Sequence, residues 1–294
     1  MPWQTHGFEF IKKYFEQIIL NDQPFDYAQD KLSHAYIFFG QEMIGKRTFA
    51  LELSYKINGS KTEGSTNPDV YLVSPNSSKS GRSITIEEIR KVRQFLYLST
   101  MIGPRKFVII DDADQMTVEA QNAFLKALEE PSASSVIFLI TAYPDVLLST
   151  ILSRCQTVNF PNHSKTNIET ILVKEGVENA KAKFLAEFSN GRLGLALKII
   201  RENQYSQIKN YLKELADLIK SNMNGRLVWA KKISEADNST TEIGDRLLTW
   251  MLYLRIHKDS KNLRILAKLM RANHDLLQPQ YNTRLLLENL VIQL

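Results

Sequence analysis

At 294 residues, 44% hydrophobic and 23% charged, the chain is long enough for two or three domains with real cores. A single cysteine, Cys155, excludes a disulfide framework and any cysteine-rich zinc module. No apolar run approaches the ~20 residues of a membrane span and no secretory h-region opens the sequence, so a cytoplasmic protein is expected. A net charge of +5 suits contact with nucleic acid or an acidic partner and selects neither.

Phe8, Ile11, Tyr14 (or Phe15), Ile18 and Ile19 recur at helical spacing and predict a first amphipathic helix. The polar stretch NDQPFDYAQDKLS, within residues 21–33, reads as a loop. From Tyr36 onward, short apolar runs alternate with amphipathic stretches. YIFF ends in Gly40, DVYLV in Ser74-Pro75, KFVII in Asp111-Asp112, SVIFLI in Thr141 and QTVNF in Pro161. Such unalternated runs are expected of strands buried on both faces of a parallel sheet. Helices are predicted over 46–57, over 86–97 behind a capping box of Thr85 and Glu88, and over 117–130, where Pro131 stops the last. Strand-helix alternation predicts a doubly wound α/β domain with its ligand site at the carboxyl ends of the strands. Gly40, the Asp111-Asp112 pair and Thr141 then share one rim. After PNHSK the strands stop: three short helices are predicted over 166–202, and residues 203–294 read as helical throughout.

Three motifs carry chemistry. Gly40, Gly45 and Lys46 match the phosphate-binding pattern G-x-x-x-x-G-K-[ST], but Arg47 stands where the hydroxyl that holds Mg²⁺ belongs. Thr48 has a hydroxyl, displaced about 100° around the helix. Alone, the loop reads equally as a phosphate cradle or as a strand-to-helix turn kept for packing. VIIDDADQM places Asp111 where an acid holds Mg²⁺ and Asp112 where a longer Glu would polarise water, a degenerate pair. Arg154, in STILSRCQTVNF, follows a short apolar helix. It reads either as a cation on a helix C-terminus or as a planar fork offered to another subunit's γ-phosphate.

SHAYIFFGQEMIGKRTFALELSYKING, PDVYLV, ITIEEIRKVRQFLYLS, KFVIIDDADQMTVEAQNAFLKALEEP, FLITAYPDVLLSTILSRCQTVNF and NTRLLLENLVIQL together resemble the bacterial clamp-loader AAA+ proteins of DNA polymerase III. The resemblance runs over nearly the whole chain, and TILSRC, Thr150 to Cys155, is its most specific part. It implies an AAA+ module with a five-stranded sheet (1–162), a three-helix lid (163–202) and an all-helical collar (203–294). It implies a place in a five-subunit ring that loads the sliding clamp on primed DNA. The expected partners are the gamma/tau ATPase and delta subunits, with clamp and DNA reached through the complex and no membrane contact. Arg154 would be presented to the neighbour's ATP.

Three departures narrow this expectation. Where the family often has a four-cysteine zinc module, NGSKTEGSTNPD has no cysteine, so zinc is not expected. Arg47 replaces the loop hydroxyl. In the lid pattern G-x-x-R-x-A-L, GRLGLAL puts Gly194 at the arginine position. The expectation is a non-catalytic subunit of the polymerase holoenzyme that needs no cofactor or metal, with ATP or ADP at the loop left open. The competing reading is an active gamma/tau-like ATPase using Lys46, Asp111 and Thr141.

Overall fold

The computed structural model describes residues 5–21, 32–59, 67–78, 81–132, 134–235, 240–257, 259–276, 278 and 282–294. Most of the loop expected at 21–33, and residues 60–66 of the stretch in the zinc-module position, lie outside them. The chain divides into two compact units: Met1–Ala182 with Gly191–Leu195, and Lys183–Asn190 with Ala196–Leu294. The three helices expected between 163 and 202 form, and the division between the units runs through them.

In the first unit, helix α1 (Glu9–Asn21) precedes β1 (Ala35–Phe39), α2 (Lys46–Ile57) and β2 (Val70–Val73). A small hairpin, β3 (Asn76–Ser78) and β4 (Gly81–Ser83), is a feature that the apolar pattern does not announce. Then follow α3 (Ile86–Tyr97), β5 (Lys106–Ile110), α4 (Val118–Glu129), β6 (Ser135–Thr141), α5 (Ser149–Leu152), β7 (Gln156–Asn159) and α6 (Lys165–Lys174). The five-stranded sheet runs β2-β5-β6-β1-β7, with every pairing parallel.

Both faces of this sheet are covered, which is why its strands lack a polar alternation. On one face Ile37, Val108, Ile110 and Leu139 pack with Ile89, Val92, Phe124 and Ile151. On the other, Tyr36, Phe38, Ile109 and Phe138 meet Phe15, Phe49 and Leu53. Local signals agree with these elements. The Glu88 carboxylate accepts from Thr85 N–H at 2.7 Å, and the Thr117 hydroxyl accepts from Ala120 N–H at 3.2 Å to cap α4. The register sets Phe39 beside Thr141 and Ile110 beside Leu139, so the strand ends gather on one rim as expected.

One buried acid organises the approach to β5. Asp69 accepts from the N–H groups of Met101, Ile102 and Gly103 at 2.7–2.9 Å. Its neighbour Lys106, also buried, lies 3.9 Å away with its ammonium 4.1 Å from the centre of the Phe95 ring. Burial pushes the Asp69 carboxyl up, but the three donors and the Lys106 charge more than offset this and hold it below the usual carboxylate range.

α7 (Asn179–Phe188) and α8 (Leu193–Arg201) lead into α9 (Tyr205–Lys220), α10 (Met223–Glu235), α11 (Thr240–Ile256), α12 (Ser260–Leu276) and α13 (Thr283–Ile292). Within the second unit, Leu215, Leu247, Trp250, Leu269, Leu287 and Val291 form the core. Trp250 Nε1 donates to the Tyr211 carbonyl at 2.6 Å, which satisfies the one polar atom of the largest buried side chain. Arg246, 5% exposed, pairs with Glu214 at 2.9 Å and with Glu242 at 3.6 Å beneath the Tyr211 ring. Leu248 and Leu285, apolar residues of α11 and α13, are exposed. Among the described residues no helix is long and apolar enough to cross a membrane.

Candidate functional site

The loop between β1 and α2 adopts the backbone its glycines permit. Gly40 and Gly45 take φ of +145° and +112°, and Met43 between them sits at +59°. Gly45 precedes the first turn of α2, so the loop enters a helix N-terminus as a phosphate cradle would. Its lysine, however, turns inward. Lys46 Nζ donates to the carbonyls of Gly40 at 2.5 Å and Gln41 at 2.6 Å, and the residue is only 6% exposed. Burial lowers its pKa to about 8 against the pull of Asp111, Glu42, Asp112 and Asp114.

Arg47, one step on, reaches across to the end of β5 and donates to Asp111 Oδ2 at 3.3 Å. Burial and the neighbouring Asp112 charge push the Asp111 carboxyl up, and Arg47 opposes that shift. Asp112 follows in the left-handed conformation, φ +48°, and its carboxylate pairs at 3.0 Å with Arg82 from the β3–β4 hairpin. Each acid of the pair thus carries its own guanidinium. Thr141 is engaged as well: its hydroxyl donates to Asp114 Oδ1 at 2.6 Å and accepts from Tyr143 N–H at 2.9 Å. Thr48 is exposed on α2. The rim therefore brings together Gly40, Lys46, Arg47, Asp111, Asp112 and Thr141. Among the described residues no group of three or more His, Cys, Asp or Glu could hold a metal ion.

The position expected to hold a lid arginine meets the loop directly. Gly194 N–H donates to the Met43 carbonyl at 2.7 Å, and a Cβ on Gly194 would lie 2.6 Å from that oxygen. Only glycine fits so close an approach. His163 closes the same loop, its Nε2 lying 2.9 Å from the Ile44 carbonyl while its ring packs on Phe8. Burial lowers the pKa of that imidazole.

Arg154 lies just beyond α5, whose Ile151 is buried in the core. One terminal nitrogen of its guanidinium, Nη1, donates to the Thr150 carbonyl at 3.0 Å and more weakly to Ser153 Oγ at 3.4 Å. The other, Nη2, lies 3.0 Å from Glu129 Oε1 at the end of α4. The side chain remains 37% exposed. Cys155 beside it is half-buried, and burial pushes its thiol up to about 12, so it stays a protonated thiol at neutral pH.

Sequence reasoning singled out the loop, the acid pair, Thr141 and Arg154, and the structure gathers the loop, the acids and Thr141 on one rim. That reasoning missed Arg82, Glu129 and His163 and did not foresee that Gly194 touches the loop backbone. The charged pairs join residues far apart in the chain, and no local pattern marks such partners.

The family described as DNA polymerase III, delta subunit matches residues 19–164. DNA polymerase III subunit delta' of Bacillus subtilis is 32% identical over 205 residues, covering 65% of this chain and 61% of that protein. The delta' subunit of Escherichia coli is 30% identical over 155 residues, covering 52% and 46%. The matches thus span 61% of the first relative's length and 46% of the second's. The crystal structure of a gamma subunit-related protein of DNA polymerase III from Thermotoga maritima covers 97% of both chains with a TM-score of 0.58 at 22% identity, a similarity of fold. By these matches the chain belongs to the DNA polymerase III delta-prime clamp-loader family.

Proposed function

We propose that this chain is a non-catalytic delta-prime subunit of a DNA polymerase III clamp loader. It helps load the sliding clamp on primed DNA and offers Arg154 to the ATP of a neighbouring gamma/tau-type subunit, alongside a delta subunit. The observation that carries the non-catalytic half is the Arg47–Asp111 pair: a guanidinium stands where a nucleotide-bound Mg²⁺ would need both a hydroxyl and a free carboxylate. Lys46 supports the reading, because its ammonium is spent on the loop's own carbonyls rather than held outward for phosphate. The Gly194–Met43 bond supports it again, since a helix backbone occupies the approach that a sensing arginine would need. These residues do not fit Mg²⁺-ATP, so the loop is a structural joint.

The working half of the proposal is the edge. Arg154 is exposed enough to meet a partner and is held by its own helix carbonyl, as a positioned donor must be. Negative charge that develops on transferring phosphoryl oxygens is stabilised by such a fork from across an interface.

A loader reconstituted from this chain with its ATPase and delta partners tests both halves. Lys46→Ala in this chain should leave DNA- and clamp-stimulated hydrolysis within about twofold of wild type, because a lysine bonded to its own loop contributes nothing to phosphoryl transfer. Loss of one site's share of hydrolysis in that variant would instead support an active gamma/tau-like ATPase.

A further inference from the structure

We propose that Glu129 is the positioning residue for Arg154: it fixes the plane of the guanidinium so that the remaining N–H groups of the fork point out of the subunit. The inference rests on the reading of Arg154 as a donor to a neighbour's ATP. It adds a residue that lies outside the TILSRC motif.

The geometry supplies two anchors for one planar group. Nη1 is tied to the Thr150 carbonyl at 3.0 Å and Nη2 to Glu129 Oε1 at 3.0 Å. A single bond to a guanidinium leaves it free to rotate about the bond, whereas two bonds at different nitrogens fix the plane. A guanidinium has five N–H donors. Those toward Thr150, Ser153 and Glu129 leave others for a phosphoryl group. Arginine in solution samples many rotamers, so a donor fixed beforehand avoids ordering cost when the transition state forms.

The brace behind this arrangement is α4. Gln121, buried on that helix, accepts from Leu148 N–H at 2.8 Å at the start of α5 and donates to the Met116 carbonyl. Leu128, next to Glu129, and Ile151, three residues before Arg154, belong to the same core cluster. The helix that carries the carboxylate and the turn that carries the guanidinium are thus joined by a buried amide and by packing. The Glu129 side chain itself is half exposed. Ion pairs of that exposure contribute little to folding. A stability role would therefore leave little trace, and an orienting role is the stronger account of a pair whose two side chains both stay partly exposed.

The test is hydrolysis by the reconstituted loader carrying Glu129→Ala, Arg154→Ala or both, with isolated chains melted in parallel. Glu129→Ala should lower kcat at the facing site roughly three- to tenfold with KM unchanged, as expected when an interaction realised only in the transition state is loosened. Its melting midpoint should stay within about 2 °C of wild type. Added to Arg154→Ala, it should cost nothing more, because its effect runs through that arginine. Wild-type kcat for Glu129→Ala beside a defective Arg154→Ala would overturn the inference while leaving the arginine's role intact. A rise in kcat would overturn it too, since it would make Glu129 a competitor for the guanidinium. Wild-type hydrolysis by Arg154→Ala would sink the underlying reading itself.

Discussion

Arg154→Ala should leave the isolated chain folded and able to assemble, yet remove about 10³–10⁵ of the hydrolysis rate at the one site it faces. That loss corresponds to roughly 4–7 kcal/mol of barrier. The same side chain as a mere helix-end cation contributes under about 1 kcal/mol to stability. The two roles therefore separate by their readouts. With Thr150, Ser153 and Glu129 all near the surface, truncation opens no cavity in the core around Ile151, and melting should shift by no more than a few degrees. Total turnover by a loader with several ATPase sites should fall only in part, while clamp loading falls further. Arg154→Lys should recover little, because an ammonium keeps the charge without the fork. Rates from single-turnover hydrolysis and from clamp loading on primed DNA check this; wild-type values in both would leave only the helix-end role.

Asp69→Ala is the largest stability effect expected in the first unit. The carboxylate satisfies the N–H groups of Met101, Ile102 and Gly103 and faces the buried ammonium of Lys106. Alanine leaves three backbone donors and a cation without that acceptor. Breaking such a buried charged network costs about 3–5 kcal/mol. The denaturant midpoint should fall with the slope unchanged, as measured by urea titration. The pH dependence has a definite sign. The folded-state pKa of Asp69 lies below its unfolded value, so the native state binds fewer protons through that interval. Its stabilisation is complete above the unfolded pKa of about 3.9 and is lost as pH falls through the folded value. The Ala variant should accordingly lack that part of the acid sensitivity. An unchanged midpoint would mean that water replaces the carboxylate at no cost.

Much of this architecture was legible because its causes are local. Tyr36 and Phe38 bury on one face of the sheet while Ile37 buries on the other, and a strand apolar at every position announces that arrangement. Thr85 with Glu88 and Pro131 after Glu130 mark helix ends in the sequence itself. The Arg47 departure from the loop pattern was visible too, but its partner was not. Asp111 is 64 positions away, and Arg82 is 30 positions from Asp112. The hairpin that delivers Arg82 is short and polar, so hydrophobic periodicity passes over it. Gly194 could be seen as a missing arginine. Only the fold shows its N–H capped by the Met43 carbonyl, where a side chain would collide. Glu129 was hidden for a different reason. A glutamate at a helix end has many solvated roles, and pairing with Arg154 depends on how α4 and α5 pack.

If the loop is a structural joint, with Lys46 and Arg47 satisfied by the chain itself, it should not take up nucleotide. Calorimetric titration of Mg²⁺-ATP into the isolated chain measures this most directly. No heat of tight, Mg²⁺-dependent binding is expected, and the same flat titration is expected for Lys46→Ala. Saturable binding that requires Mg²⁺ and disappears in Lys46→Ala would contradict it.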